Sequence, residues 1–91
     1  MFEVVYFPRV SKEDIPSLPS KIRVRIKKAI EERLRTHPVE FGKPLQYSWI
    51  GHRRMRVGDY RIVYKIDIKN RRVIVVLIKH RKDVYRQTSR F

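Results

Sequence analysis

The dipeptide Gly58-Asp59, set between "RMRV" and "YRIVY", constrains this chain more than any other feature. Gly then Asp between two strand-like runs suits a two-residue β-hairpin with positive φ at the first turn position. Such a turn sets the register. Val57 falls opposite Tyr60, Arg56 opposite Arg61, Met55 opposite Ile62, Arg54 opposite Val63 and His52 opposite Lys65. Opposed residues share a face, and so do alternate residues along one strand. One face therefore carries His52, Arg54, Arg56, Arg61 and Lys65. The other carries Met55, Val57, Tyr60, Ile62 and Tyr64, with Arg53 at its edge.

Like charges directly opposite each other are unfavourable in a ladder, so Arg56 facing Arg61 gives folding no advantage. An anion bound between them removes the conflict. Arginine's planar fork also suits bidentate phosphate recognition better than an ammonium does. The plainer alternative is a solvated sheet face with splayed arginines. On the binding reading, Arg61 serves a ligand rather than the fold, and its loss is expected to cost little stability.

The apolar run "VIVVLIK" predicts a last strand over residues 72–79, apolar on both faces as a central strand would be. Its parity depends on the turn at 67–72. A two-residue turn at Lys69-Asn70 pairs Arg61 with Ile78. A three-residue turn pairs it with Lys79 and brings Lys79 and Arg81 to the basic face. Tyr85 follows a few residues on, either as a stacking or proton-transfer group at the same rim or as a packed ring.

Upstream, "FEVVYF" at residues 2–7 reads as a first strand ended by Pro8. Ser11 is placed to cap a short helix that Pro16 and Pro19 cut off. Ser20 opens the clearest helix. Ile22, Ile26, Ala29, Ile30 and Leu34 make one apolar stripe at helical spacing, a stripe that core packing alone explains. Pro38 ends it near Thr36. Residues 37–46 read as loop, and further strands as 47–50, 52–57 and 60–67. The order βααβββ(β) predicts a single α+β domain over 1–91. Two helices pack on one face of a mainly antiparallel, twisted sheet, the apolar stripe against Met55, Val57 and Ile62.

Twenty-three Lys and Arg oppose nine Asp and Glu, a net charge of +14. Nucleic acid is the first partner such a charge suggests. No basic helix with a broad aromatic face points to a membrane surface. No apolar run approaches the roughly 20 residues of a membrane span. The start, "MFEVVYFPRV", reads as mature structure, not a signal peptide. The absence of cysteine excludes disulfides and thiolate metal sites and is compatible with a cytosol. His37, His52 and His80 stand apart without ligand spacing, and no pair of carboxylates or Ser/His/Asp set suggests hydrolytic machinery.

The motif pair "RMRVGDYRIVY" and "IKHRKDVYR" resembles the RelE/ParE superfamily of toxin–antitoxin systems over essentially the whole chain. Within that family, RelE-type members are mRNA endonucleases of the ribosomal A site, and ParE-type members share the fold but poison DNA gyrase. The resemblance implies a RelE-like fold and a RelE-type toxin. It would cut mRNA on the ribosome by metal-independent attack of a 2′-hydroxyl on its own 3′-phosphate, with no cofactor. Carried over, the catalytic residues are Arg54, Arg61, Arg81 and Tyr85. The RNA backbone falls to His52, Arg56, Lys65, Lys79 and Lys82. The implied partners are a cognate antitoxin, the ribosome and mRNA, in the cytoplasm. Family members often carry lysine where this chain has His52 and Arg54. Arginine cannot act as a base, so the base stays open between His52, Tyr85 and another group. Two rivals stand beside this reading: a ParE-like gyrase inhibitor and a non-catalytic RNA-binding module.

Overall fold

The structure is a computed structural model that describes residues 1–87, with side chains through Val84. Five strands form one sheet: β1 (Glu3–Tyr6), β2 (Lys43–Pro44), β3 (Arg53–Val57), β4 (Tyr60–Asp67) and β5 (Arg72–His80). Their spatial order is β1-β5-β4-β3-β2. Among the described strands only the β1–β5 pair is parallel; the others are antiparallel. The helical connection from β1 leads across the sheet, as a parallel pair requires.

Helix α1 (Ser20–Ala29) continues without a break as a π-helical segment, Ile30–Leu34. Together they span most of the expected helix. Ile26, Ala29, Ile30 and Leu34 are buried and join Met55, Val57, Ile62, Tyr64, Val73, Val75 and Ile78 in the main core. The predicted stripe thus meets the predicted face. The short segment before α1 is a π-helical turn, Val10–Asp14, and Ser11 does not cap it; its hydroxyl donates instead to the Pro8 carbonyl at 3.3 Å.

Two regions differ from the sequence reading. Residues 37–46, expected as loop, hold a short helix α2 (Pro38–Phe41) and the strand β2. Pro at the first helical position starts α2, where a missing N–H costs nothing. A side chain at Gly42 would run into the Tyr64 hydroxyl, which donates to the Pro38 carbonyl at 2.6 Å. Residues 47–50, expected as strand, form a 3₁₀ turn at Tyr47–Trp49, and Tyr47 adopts φ 58. Its aromatic residues match a strand in type, but the chain must turn back there to start β3.

A further helix, α3 (Arg81–Gln87), follows β5. Val84 on it is buried with Leu45, Val63, Val76 and Leu77, which form a small second core on the other face of the sheet, bordered by Trp49 and Ile74. Among the described residues no helix is long and apolar enough to cross a membrane.

The parity of β5 is decided by a device that neither turn-length option contained. Four residues, 68–71, join Asp67 to Arg72, and near that turn the register is Lys65↔Ile74 and Tyr64↔Val75. Between Val63 and Tyr64 it shifts: Val63 pairs with Leu77, Ile62 with Ile78 and Arg61 with Lys79. Val76 is the extra residue of a β-bulge, and Val76 and Leu77 both reach the second core. One inserted residue reverses every side chain beyond it. That is how a strand with the register of a two-residue turn still brings Lys79 opposite Arg61.

Candidate active site

The β3–β4 hairpin has the expected register, with Val57↔Tyr60, Arg56↔Arg61, Met55↔Ile62 and Arg54↔Val63. Gly58 takes φ +58, the conformation the turn demands. The basic residues therefore share one face, but they are not equally presented. Arg56 and Lys65 are exposed, and His52 and Arg54 are half-buried. Arg61 is only 5 % exposed. Its Nη1 donates to the carbonyls of Gly58 and Tyr60, each at 3.1 Å.

This geometry relieves the Arg56–Arg61 conflict without a ligand, because Arg61 turns into the hairpin while Arg56 points to solvent. It also corrects the expectation that Arg61 is dispensable for folding. A buried cation that satisfies two turn carbonyls stabilises the hairpin, and hydrogen bonds to charged groups contribute about 1.5–3 kcal/mol.

The same turn draws in the start of α3. The Arg81 backbone N–H donates to the Asp59 carbonyl at 2.8 Å, and its Nε lies 3.9 Å from Asp59 Oδ1. The ion pair is exposed and weak, whereas the backbone bond anchors Arg81 beside the turn that holds Arg61. Lys82 is exposed, its backbone N–H bonded to His80 Nδ1 at 3.2 Å. The His80 ring meets Tyr60 edge-on at 5.3 Å. Tyr85 belongs to the backbone of α3, and its side chain lies outside the described residues.

Lys79 lies opposite Arg61, yet its ammonium does not join the basic face. It is 2.8 Å from Oδ1 of Asp14, a fully buried carboxylate whose Oδ2 accepts the Ile78 N–H at 3.0 Å. The reason lies at the sheet edge. The pairing of β1 with β5 ends at Tyr6↔Val75, and Asp14 takes up an edge N–H beyond it. The single acid of "SKEDIPSL" that faces inward was the available signal, but four polar neighbours obscure it.

Arg53, at the edge in the sequence reading, is structural: its Nη2 donates to the carbonyls of Val39 and Gly42 at 2.8 and 2.6 Å. The Nε of Arg53 and the Nε of Arg54 are both enclosed and meet no acceptor among the described residues.

His52 packs edge-on against Trp49, ring centroids 4.9 Å apart. Burial, and second the Lys65 ammonium, hold the His52 imidazole below its usual range, with the carbonyls of Trp49 and Ile50 pulling the other way. A neutral imidazole at neutral pH can accept a proton. Trp49 was missed at the sequence level because 47–50 read as strand; it supplies the basic face with an aromatic surface. Among the described residues no three His, Asp or Glu side chains gather as a metal-ligand set. The face can thus hold a phosphate among guanidiniums and offer a neutral imidazole beside an indole.

Comparison with known proteins agrees with these features. Residues 5–85 match the family model described as the ParE toxin of the type II toxin–antitoxin system parDE. Toxin RelG of Mycobacterium tuberculosis is 31% identical over 83 residues, covering 91% of this chain and 95% of that protein. Toxin RelE of the same organism is 37% identical over 73 residues, covering 80% of this chain and 75% of that protein. Among solved structures, the toxin–antitoxin complex RelBE2 from Mycobacterium tuberculosis superposes with a TM-score of 0.82 at 26% identity, covering 87% of this chain and 96% of that one. The isolated E. coli RelE toxin shares the fold at a TM-score of 0.73 and 22% identity, covering 98% of this chain and 96% of that one. A βααβββ-type sheet, a basic hairpin face and matches over nearly the whole length identify the chain as a toxin of the RelE/ParE family of type II toxin–antitoxin systems.

Proposed function

We propose that the chain is a ribosome-dependent mRNA endonuclease that cuts in the A site without a metal ion and is neutralised in the cytoplasm by a cognate antitoxin protein. The observation that carries this reading is the convergence of Arg54, Arg56, Arg61 and Lys65 on one sheet face, set by the pairing Arg56↔Arg61. Arg54, Arg61, Arg81 and Tyr85 take the catalytic roles, and His52, Arg56, Lys65 and Lys82 line the RNA path. Lys79 joins them only when its ammonium leaves Asp14.

In the reaction, a base removes the proton of a 2′-hydroxyl, and that oxygen attacks the adjacent 3′-phosphate. The bond from phosphorus to the 5′ oxygen breaks, and an acid protonates the leaving oxygen. The products are a 2′,3′-cyclic phosphate and a 5′-hydroxyl. His52, Tyr85 or another group is the base. Arg54 and Arg61 stabilise the charge that builds on the phosphoryl oxygens, and a buried guanidinium is screened less by water than an exposed one. Trp49 offers a stacking surface for a base drawn out of its helix. Support for the antitoxin comes from relatives solved as toxin–antitoxin complexes, among them RelBE2 of Mycobacterium tuberculosis.

A second reading, inhibition of DNA gyrase without catalysis, is favoured by the family model, whose description is of a ParE toxin. Translation of a defined mRNA with the purified chain, followed by primer extension, decides between them. New 5′ ends inside translated codons are expected. Intact mRNA together with arrested gyrase would sink the endonuclease reading.

A further inference from the structure

On the helix side of the β3–β4 turn lies a group of cations that the active-face reading does not use. Arg25, Lys28, Glu32 and Arg33, from α1 and its π-helical continuation, face Arg56, Val57 and Gly58 across an open cleft of about 280 Å³. Four cations and one acid line it, and Glu32 already lies 4.0 Å from the Lys28 ammonium.

The cleft is built onto the turn. A Cβ at Gly58 would stand 3.0 Å from Arg25 Nη1. The glycine that the positive φ requires therefore also leaves room for this guanidinium. On the far side of the turn, Arg61 donates to the Gly58 carbonyl. The turn thus separates two cationic surfaces. Arg56 belongs to both: it is opposite Arg61 in the ladder and also lines the cleft. It can do so because β2 pairs with β3 only at Arg53 and Arg54, so β2 does not cover the edge at Met55–Val57.

We propose that this cleft is a second phosphodiester site, which holds the backbone of a single RNA strand as it passes around the β3 edge from the active face. The proposal rests on the RNA reading above and adds to it a second place of contact. The lining selects this occupant over an amphipathic peptide. Its apolar members, Ala29 and Val57, are both 6 % exposed and offer no anchor. The exposed apolar side chains Val39, Ile50 and Ile68 line a different groove. Arg33 also lies over the Phe41 ring, 5.9 Å from its centroid, and Phe41 is 47 % exposed. A cation beside an exposed aromatic is the pairing on which single strands are held, phosphate by charge and base by stacking.

The test measures binding of a fluorescent 2′-O-methyl oligoribonucleotide across a salt series. That probe lacks the attacking hydroxyl, so binding is read apart from cleavage. The triple variant Arg25→Ala, Lys28→Ala, Arg33→Ala is compared with the wild type, and thermal melts verify that both are folded. Each cation on a single strand contributes about 0.7 to the slope of log K against log salt, so the slope should fall by about 2. An unchanged slope in the folded triple variant overturns the proposal. So does polyglutamate that binds the wild type as tightly as the oligonucleotide and loses the same affinity in the variant, which would identify an acidic protein as the occupant. Arg61→Ala serves as the separating control. If it abolishes cleavage and keeps the slope, the two surfaces act independently. If the wild type cuts no RNA yet the triple variant loses slope, the cleft stands and the endonuclease reading falls.

Discussion

Met55 faces Ile62 and Arg56 faces Arg61 across the same two strands, one pair on each side of the sheet. The first pair is buried in the main apolar core together with Ile26, Ala29, Ile30 and Leu34 of the helix. The second pair splits, with Arg56 exposed and Arg61 5 % exposed against its own turn. The contrast teaches that a sheet face built for packing and a sheet face built for charge are specified differently. Apolar side chains need only be adjacent, since burial is non-directional. A guanidinium needs acceptors in particular directions, and Arg61 finds them in the Gly58 and Tyr60 carbonyls.

If the two faces are separate in this way, substitutions on them should fail differently. The largest effect is expected from Ile30→Ala under the helix, where the side chain is 1 % exposed. Truncating a buried aliphatic of this size costs about 2–5 kcal/mol, read as a lower thermal midpoint. Cleavage per folded molecule should hold. A specific loss of cleavage in a fully folded Ile30→Ala protein would break the division between the faces.

Arg61→Ala comes next and tests the other side. Losing one pre-organised cation at a developing charge is worth on the order of 3 kcal/mol, roughly a hundredfold in single-turnover rate. Here the melt should also drop, by about 1–2 kcal/mol, because two turn carbonyls lose a buried charged donor. Arg61→Lys should recover part of each, since a point charge replaces the fork. Wild-type cleavage by Arg61→Ala would show that the residue belongs to the fold alone.

The smallest effect concerns pH. Burial and Lys65 lower the His52 value below its ordinary 6.5. The unfolded chain then takes up this proton first as pH falls. Stability is therefore full above 6.5 and declines as pH drops through 6.5 toward the lower folded value. His52→Gln should flatten that decline in thermal melts. Identical pH curves for the two proteins would mean that the imidazole is as well solvated folded as unfolded. If His52 is also the base, the cleavage rate falls as pH drops through that lower folded value; a flat rate there leaves the role to Tyr85 or another group.

Much of this was legible in the chain. The Gly58-Asp59 turn carries its own register, so the membership of both hairpin faces could be written down residue by residue. The helix stripe from Ile22 to Leu34 needed only its spacing to be matched to the apolar face. What stayed hidden depended on residues far apart in the chain. Asp14 looks like one polar residue among several until the edge of β5, 64 residues away, presents the Ile78 N–H. Lys79 looks like a free surface cation until Asp14 takes it. Residues 37–50 were misread because β2 gains its meaning only from pairing with Arg53 and Arg54, and because a turn of aromatic residues has the composition of a strand.

By itself, then, the sequence determined the hairpin, the sides on which apolar and basic residues fall, and the helix that covers one of them. All three follow from short-range periodicity and turn chemistry, which contacts a few residues apart can enforce. Only the tertiary structure decided the parity of β5, through the bulge at Val76, and with it which groups stand opposite Arg61. It alone turned Arg61 inward, drew Lys79 away to Asp14 and set Arg25 on the far side of the same glycine. A bulge, a buried ion pair and a guanidinium's choice of carbonyl each depend on the geometry of segments that meet only when the chain has folded.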